Sequence, residues 1–380
     1  MRPAARWGML IVMRLNLDPA SLAELTAVPA ASEELLAGGG WPLIIVDVPD
    51  AAAARRLADI DITVLPAVVV ACVPDPRGFP AAAARAADVI LTEDERAPAP
   101  FVSWPGAPGG AAGLIEEALA AAPVAGTTLA LLMRSAAGLT VPAALVAESA
   151  AFSALQAGEE FARWRAAHPP RRPPAGDAAR PRVRTRSAGG VLEVTLDRPG
   201  RRNAVDWRMR DALAAALAGP VSDADLRVEV RGEGPDFCAG GDLDEFGSRP
   251  DPASAHLIRL TRSPALLLHR LAARTTVFLH GACLGAGIEL PAFAGRVVAS
   301  PDTRIGLPEI RLGLIPGAGG TASLPARIGR HRTAFLALTG QVIGADRALD
   351  WGLVDAVESV PVESGPVESG PVESGPGEAG

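Results

Sequence analysis

The sequence predicts an α/β protein in two parts, a core domain over residues 183–357 and a smaller α/β domain over 1–168. Three observations predict it. Short β-branched runs bounded by Pro, Gly or Asp alternate with longer Ala- and Leu-rich runs in both parts, the pattern of strands alternating with helices. The segment 169–182, "PPRRPPAGDAARPR", separates the two, and proline at that density enters neither a helix nor a central strand, so it reads as a linker. The chain has 380 residues, 49% of them apolar, enough to bury two sizeable cores. The end, 358–380, holds three tandem copies of PVESG with almost nothing to bury, and reads as a disordered tail.

In the first part "WPLIIVDVP", "VLPAVVVACVP" and "ADVILTED" read as buried strands, short and bounded by Pro or Asp. "LTVPAALVAESAAFSALQAGEEFARWRAAH" reads as helix, with Thr140 able to cap it, Pro142 in its first turn and Gly158 ending or kinking it. In the second part "GGVLEVTLDRP" alternates as a strand does, and "DWRMRDALAAALAG" is a helix with a Gly stop. "LRVEVRGEG", "TTVFLHG" and "GRVVASPD" are further strands with helices between them.

Charge narrows the function classes. A formal net charge of −7 argues against a general nucleic-acid binder. The sequence has no lysine; all 36 basic residues are Arg, so an anionic ligand must be held by Arg, backbone N–H groups or helix N-termini. Cys72, Cys238 and Cys283 are far apart and show neither a disulfide framework nor zinc spacing. The apolar patch Gly8 to Met13 is shorter than a signal-peptide core, and no apolar run is long enough to span a membrane. The default expectation is a reduced, cytoplasmic enzyme or binding protein.

Three glycine clusters follow strands: "DFCAGGDLDEF", "HGACLGAGIEL" and "LPEIRLGLIPGAGGT". "PGAGGT" lacks the lysine and the spacing of a phosphate-binding P-loop, and the glycines of "HGACLGAGIEL" do not give a dinucleotide fingerprint in register. Small residues at strand ends let backbone N–H groups approach a ligand closely. Two clusters also carry a carboxylate, Glu289 and Glu309. Two N–H donors and two carboxylates can form an oxyanion hole and an acid/base pair.

With "LDRPGRRNAV" before them and "ALTGQVIGADRALDWGLVDAV" after, these motifs stand in an order that resembles the crotonase family, the enoyl-CoA hydratases and isomerases, over about Val183 to Val357. The resemblance implies a ββα spiral core and chemistry on an acyl-CoA thioester, with coenzyme A as part of the substrate and no other cofactor or metal. It implies that the backbone N–H groups of Gly241 and Ala286 form the oxyanion hole, the second place being Gly in most members. Glu289 and Glu309 match the two glutamates that hold the water added across the α,β double bond, and Gly317 matches the residue whose N–H orients that water. Arg202 matches a basic position contacting the CoA phosphates. Ala204, Ala239, Asp242 and Leu243 fall with it among the substrate- and CoA-binding positions. A trimer or hexamer is the family's usual assembly, and neither nucleic acid nor membrane is an expected partner. Hydration is the favoured reaction, since family isomerases generally keep one glutamate. Double-bond isomerisation, thioester hydrolysis and non-catalytic acyl-CoA binding are the rivals.

Plainer readings exist for single residues. Glu289 could flank its helix, Glu309 could precede a turn at the surface, and Arg202 could be a solvated charge. Cys238, Cys283 and His280 read as structural. After Glu289 the sequence "LPAFAGRVV" departs from the family pattern, with Pro291 early in the helix. The family's helical region after "WGLVDAV" is missing, and the helix-rich stretch Leu139 to Ala167 resembles it from the wrong side of the core. Residues 40–168 therefore read as a degenerate crotonase-like half that lacks a site and supplies those helices; the other reading is an unrelated α/β domain.

Overall fold

The computed structural model describes residues 13–28, 42–105, 107–171, 180–248 and 251–359. Most of the N-terminal apolar patch, most of the Pro-rich linker and nearly all of the PVESG tail lie outside them. Among the described residues no single helix is long and apolar enough to cross a membrane.

The first domain runs β1 (Met13–Leu17), α1 (Pro19–Ala27), β2 (Pro42–Asp47), α2 (Ala51–Leu57), β3 (Val68–Cys72), β4 (Val89–Leu91) and β5 (Phe101–Val102). The five strands form one parallel sheet in chain order. Ile44 pairs with Val69 and Ile45 with Val70, and all four are buried, as expected of a parallel sheet covered on both faces. Four helices follow: α3 (Ala107–Ala121), α4 (Pro123–Ser135), α5 (Val141–Gln156) and α6 (Glu159–Ala167). The helix expected from Leu139 onward is divided at Ala157–Gly158, with Gly158, the residue expected to end or kink it, as the N-cap of α6. Thr140 stands at the N-cap of α5, yet its hydroxyl makes no capping bond, and Pro142 occupies the first turn.

Arg134, at the end of α4, fastens these helices to the sheet. Its guanidinium donates to Asp88 Oδ1 at 2.8 Å and to the carbonyls of Ile62 (2.6 Å), Leu65 (2.8 Å) and Ala67 (2.6 Å). Asp88 in turn accepts from the Val69 N–H, so a buried ion pair is satisfied on both sides.

The second domain comprises β6 (Val183–Ala188), β7 (Val191–Leu196), α7 (Trp207–Ser222), β8 (Arg227–Gly232), α8 (Pro252–Thr261), α9 (Pro264–Leu271), β9 (Thr275–Leu279) and β10 (Ala282–Leu284). It continues with α10 (Ala286–Glu289), β11 (Arg296–Ala299), β12 (Arg304–Gly306), α11 (Gly320–Thr339), β13 (Val342–Gly344), α12 (Ala345–Trp351) and β14 (Ala356–Val357). The main sheet has the order β14-β11-β9-β8-β7-β6, parallel except for the β6–β7 hairpin. That hairpin turns on Gly189 and Gly190, both at positive φ (57° and 75°), the conformation a two-residue hairpin loop demands. A second small sheet, β10-β12-β13, lies at the site. The stop expected at Gly219 is not used: α7 runs on to Ser222 with Pro220 inside it, and the chain leaves the helix at Asp223.

One apolar core passes through both domains, taking in Val70, Leu91, Leu129 and Phe152 from the first and Phe335 and Leu338 from the second. α11 is the joint. Arg332 donates to the carbonyls of Phe101 (3.0 Å) and Ala97 (2.9 Å), and the His331 ring bonds the Ala84 carbonyl at 2.8 Å. Burial, then the neighbouring Arg330, lowers the His331 pKa to about 4, so the ring is neutral at the joint.

Candidate active site

The loop after β8 and the strand β10 bring the first two glycine motifs together. Cys238 and Cys283 pair as a parallel bridge; the Cys238 N–H donates to the Ala282 carbonyl and the Leu284 N–H to the Cys238 carbonyl, both at 3.0 Å. Burial pushes the Cys238 thiol up to about 12 and the Cys283 thiol well above its ordinary value, so both stay protonated and act as packing. This pairing sets Gly240–Gly241 against Leu284–Ala286. A Cβ on Gly240 would stand 3.0 Å from the Leu284 carbonyl oxygen. Among the described residues the N–H groups of Gly241 and Ala286 are spent on no acceptor.

Gly285 ties the second glycine motif to Glu309. Its backbone (φ 49°, ψ −123°) suits glycine alone, and a Cβ there would lie 2.3 Å from Glu309 Oε1. Gly285→Ala is expected to cost about 1–3 kcal/mol from backbone strain and to push the Glu309 carboxyl aside. An unfolding midpoint equal to that of the parent protein would contradict the stated geometry.

Glu289 closes α10 and is buried; its Oε2 accepts the N–H groups of Ala318 (2.7 Å) and Gly320 (2.9 Å). Glu309 opens a 3₁₀ turn, Glu309–Leu312, after β12. It too is buried, and its Oε2 has no hydrogen-bond partner. Both glutamates face one cavity of about 630 Å³, whose lining also includes Gly241, Ala286 and Gly317. The five positions singled out for chemistry thus meet at one cavity. Burial pushes Glu309 up to about 8. Burial first, then the charges of Glu309 and Glu148, raises Glu289 well above the usual carboxylate range, against the two N–H donors that favour its anion. The pair therefore retains a proton near neutrality.

The substrate-binding positions divide. Asp242 lines the cavity, but its carboxylate is taken by Arg198 at 2.7 Å and Arg201 at 3.4 Å. Leu243 is half exposed outside the lining, and its carbonyl accepts from Arg165. Arg202 sits in the left-handed region (φ 52°), half exposed and paired with Asp236 at 2.7 Å; its carbonyl accepts the Ala239 N–H. The Ala204 carbonyl accepts from Arg198. Arg202, Ala204 and Ala239 do not line the cavity.

Some site residues were not legible in the sequence. Asn203, fully buried and at φ 53°, sets its Nδ2 beside the carbonyls of Glu233, Asp236 and Phe237, and so fixes the first glycine loop. The first domain, expected to lack a site, reaches the cavity through α5: Leu145, Glu148, Phe152 and Gln156 line it. Phe152 packs so closely on Gly317 that a Cβ there would meet its ring at 2.4 Å. Glu148 carries no motif, because a lone glutamate in an alanine-rich helix looks like any solvated helix position. Arg259, on α8, spans to α5 through Ser149 and stacks over Phe152. Among the described residues no group of three His, Cys, Asp or Glu is arranged to hold a metal ion.

This arrangement defines a class: two unspent amides and two buried carboxyls at one cavity beside a mostly parallel sheet. Residues 186–364 match the family model described as Enoyl-CoA hydratase/isomerase. Over this portion the chain is similar to the enoyl-CoA hydratases and isomerases. Among its relatives is the "Enoyl-CoA isomerase/hydratase fer4" of Mycosarcoma maydis, 36% identical over 178 residues, 44% of this chain and 65% of that one. Another is the "Mevalonyl-coenzyme A hydratase SIDH" of Beauveria bassiana, 33% identical over 176 residues, 44% of this chain and 63% of that one. The chain thus spans less than two thirds of the length of these curated relatives. A solved enoyl-CoA hydratase from Thermoplasma volcanium matches with a TM-score of 0.44 and 32% identity, covering 48% of this chain and 73% of that one.

Proposed function

We propose that the protein is an enoyl-CoA hydratase, adding water across the α,β double bond of a 2-enoyl-CoA thioester. The observation that carries the reading is the meeting of Glu289 and Glu309 at one cavity beside the unspent N–H groups of Gly241 and Ala286. In the proposed step the thioester carbonyl oxygen lies on those two amides. A water held between the glutamates attacks the β-carbon, and its proton passes to Glu289, which the Ala318 and Gly320 amides orient and which is the carboxylate of the pair while Glu309 carries their shared proton. The π electrons move onto the carbonyl oxygen, where two fixed donors stabilise the enolate; one such donor is typically worth about 10²–10³ in rate. Glu309, held protonated by burial, delivers its proton to the α-carbon as the carbonyl reforms. The proton left on Glu289 then returns to Glu309, restoring the pair. No redox group or metal enters this balance.

A screen of purified protein against short- and medium-chain 2-enoyl-CoA esters, following loss of the conjugated-thioester absorbance, tests the reading. Hydration of at least one ester is the expected result, and inactivity across the panel overturns it. The pH dependence is a second prediction. Glu309 must be protonated to act as the acid, so kcat is expected to fall as pH rises through about 8. A rate flat through that range contradicts the role. Stability follows the same sign: a buried carboxyl with a raised pKa binds more protons folded than unfolded, so its contribution is complete at low pH and is lost as pH rises through about 8.

We also propose that the first domain is a degenerate copy of the second. The support is topological: each holds five parallel strands in chain order, β1-β2-β3-β4-β5 and β7-β8-β9-β11-β14.

A further inference from the structure

We infer that Glu148, supplied by the first domain, is a positioning residue of the site in the second, acting through the turn that also carries Glu289. The inference rests on the hydratase reading for its kinetic consequence, though not for its geometry. Four successive amides at the start of α11 are held by two carboxylates in alternation. Glu289 takes Ala318 and Gly320; Glu148 takes Gly319 at 2.7 Å with Oε1 and Thr321 at 2.8 Å with Oε2. The Thr321 hydroxyl adds a third donor to Glu148 Oε2 at 2.7 Å. Glu148 is buried, and both its oxygens are engaged, so it holds the turn rather than offering a free oxygen to a substrate. Glu309 Oε2, which has no partner, is the contrast.

The turn matters because it fixes two things at once. It carries Gly317, which lines the cavity, and it supplies both donors to Glu289. If Glu148 releases Gly319 and Thr321, the amides of Ala318 and Gly320 are no longer fixed, and Glu289 loses its orientation against the reacting atoms. Displacements of an ångström at a reacting group cost about 100-fold in rate. Burial, opposed by its hydrogen bonds, brings Glu148 to about 7, and Arg259 is the cation that favours its anion.

Glu148→Gln in the full chain keeps the volume and replaces one acceptor by a donor that cannot receive an amide N–H. The expected result is a kcat lowered about 10- to 100-fold with KM little changed. Hydrogen exchange of the Gly319–Thr321 amides should accelerate, while exchange in β2 and β3 stays as in the parent. Thr321→Val removes only the hydroxyl contact and should lower kcat by a smaller factor, a folded check should Glu148→Gln fail to fold. Parent kcat and parent amide protection in Glu148→Gln overturn the proposal, as does a Thr321→Val variant with parent kcat and parent protection. If the parent protein hydrates no ester, the hydratase reading fails, while the amide-exchange comparison still decides whether Glu148 holds the turn.

Discussion

Glu309→Gln is expected to lower kcat for enoyl-CoA hydration by about 10²–10⁴-fold, the range spanned by general acid–base catalysis. The amide has the shape of the carboxyl and loses only the proton. Its surroundings accept the change: burial already holds the native group in a neutral form, with pKa about 8, so the variant loses little folded stability. Glu289→Gln is expected to lose a comparable factor and to be less well tolerated, because the Ala318 and Gly320 N–H groups would face an amide oxygen in place of a carboxylate. Binding of a saturated acyl-CoA by calorimetry should be unchanged in Glu309→Gln. Activity within threefold of the parent in either variant would remove the acid/base pair from the mechanism.

Arg134→Met is expected to destabilise the protein by about 3–5 kcal/mol, since it takes from the buried Asp88 its hydrogen-bonded cation and leaves only Arg330, 3.9 Å away. The same change also strips a donor from the carbonyls of Ile62, Leu65 and Ala67. Denaturant titration followed by circular dichroism measures it. The shared core has a further consequence. Phe152 and Glu148 reach the cavity from α5, the helix that follows the Arg134 clip. Activity should therefore disappear in the same transition as the first domain's structure. A variant whose first domain melts while turnover persists would show that the second domain keeps its site unaided. Adding Asp88→Asn to Arg134→Met should recover part of the loss, because it removes the carboxylate that has lost its hydrogen-bonded cation.

The sequence was most informative where chemistry and backbone geometry coincide. The strands at Pro42–Asp47, Val68–Cys72, Val191–Leu196 and Thr275–Leu279 were all legible, because buried parallel strands write continuous β-branched runs. Gly241, Ala286, Glu289, Glu309 and Gly317 were legible because ordered motifs carry them. The small sheet β10-β12-β13 was not: its strands have three residues each, too few to show a period. Nor was the reach of α5 into the cavity. Its Phe152 and Glu148 take their roles from tertiary contacts with residues more than a hundred positions away, and the spacing within the helix says nothing of those partners.

The alternating ownership of the α11 amides sets a length on the segment before it. Surface loops ordinarily accept inserted residues at small entropic cost. Here a single inserted or deleted residue between Ile315 and Gly319 would advance the turn by one amide. Each carboxylate would then meet the N–H that now belongs to the other. The glycine-rich run is thus a spacer of fixed phase, bound in the number of its residues as well as in their smallness.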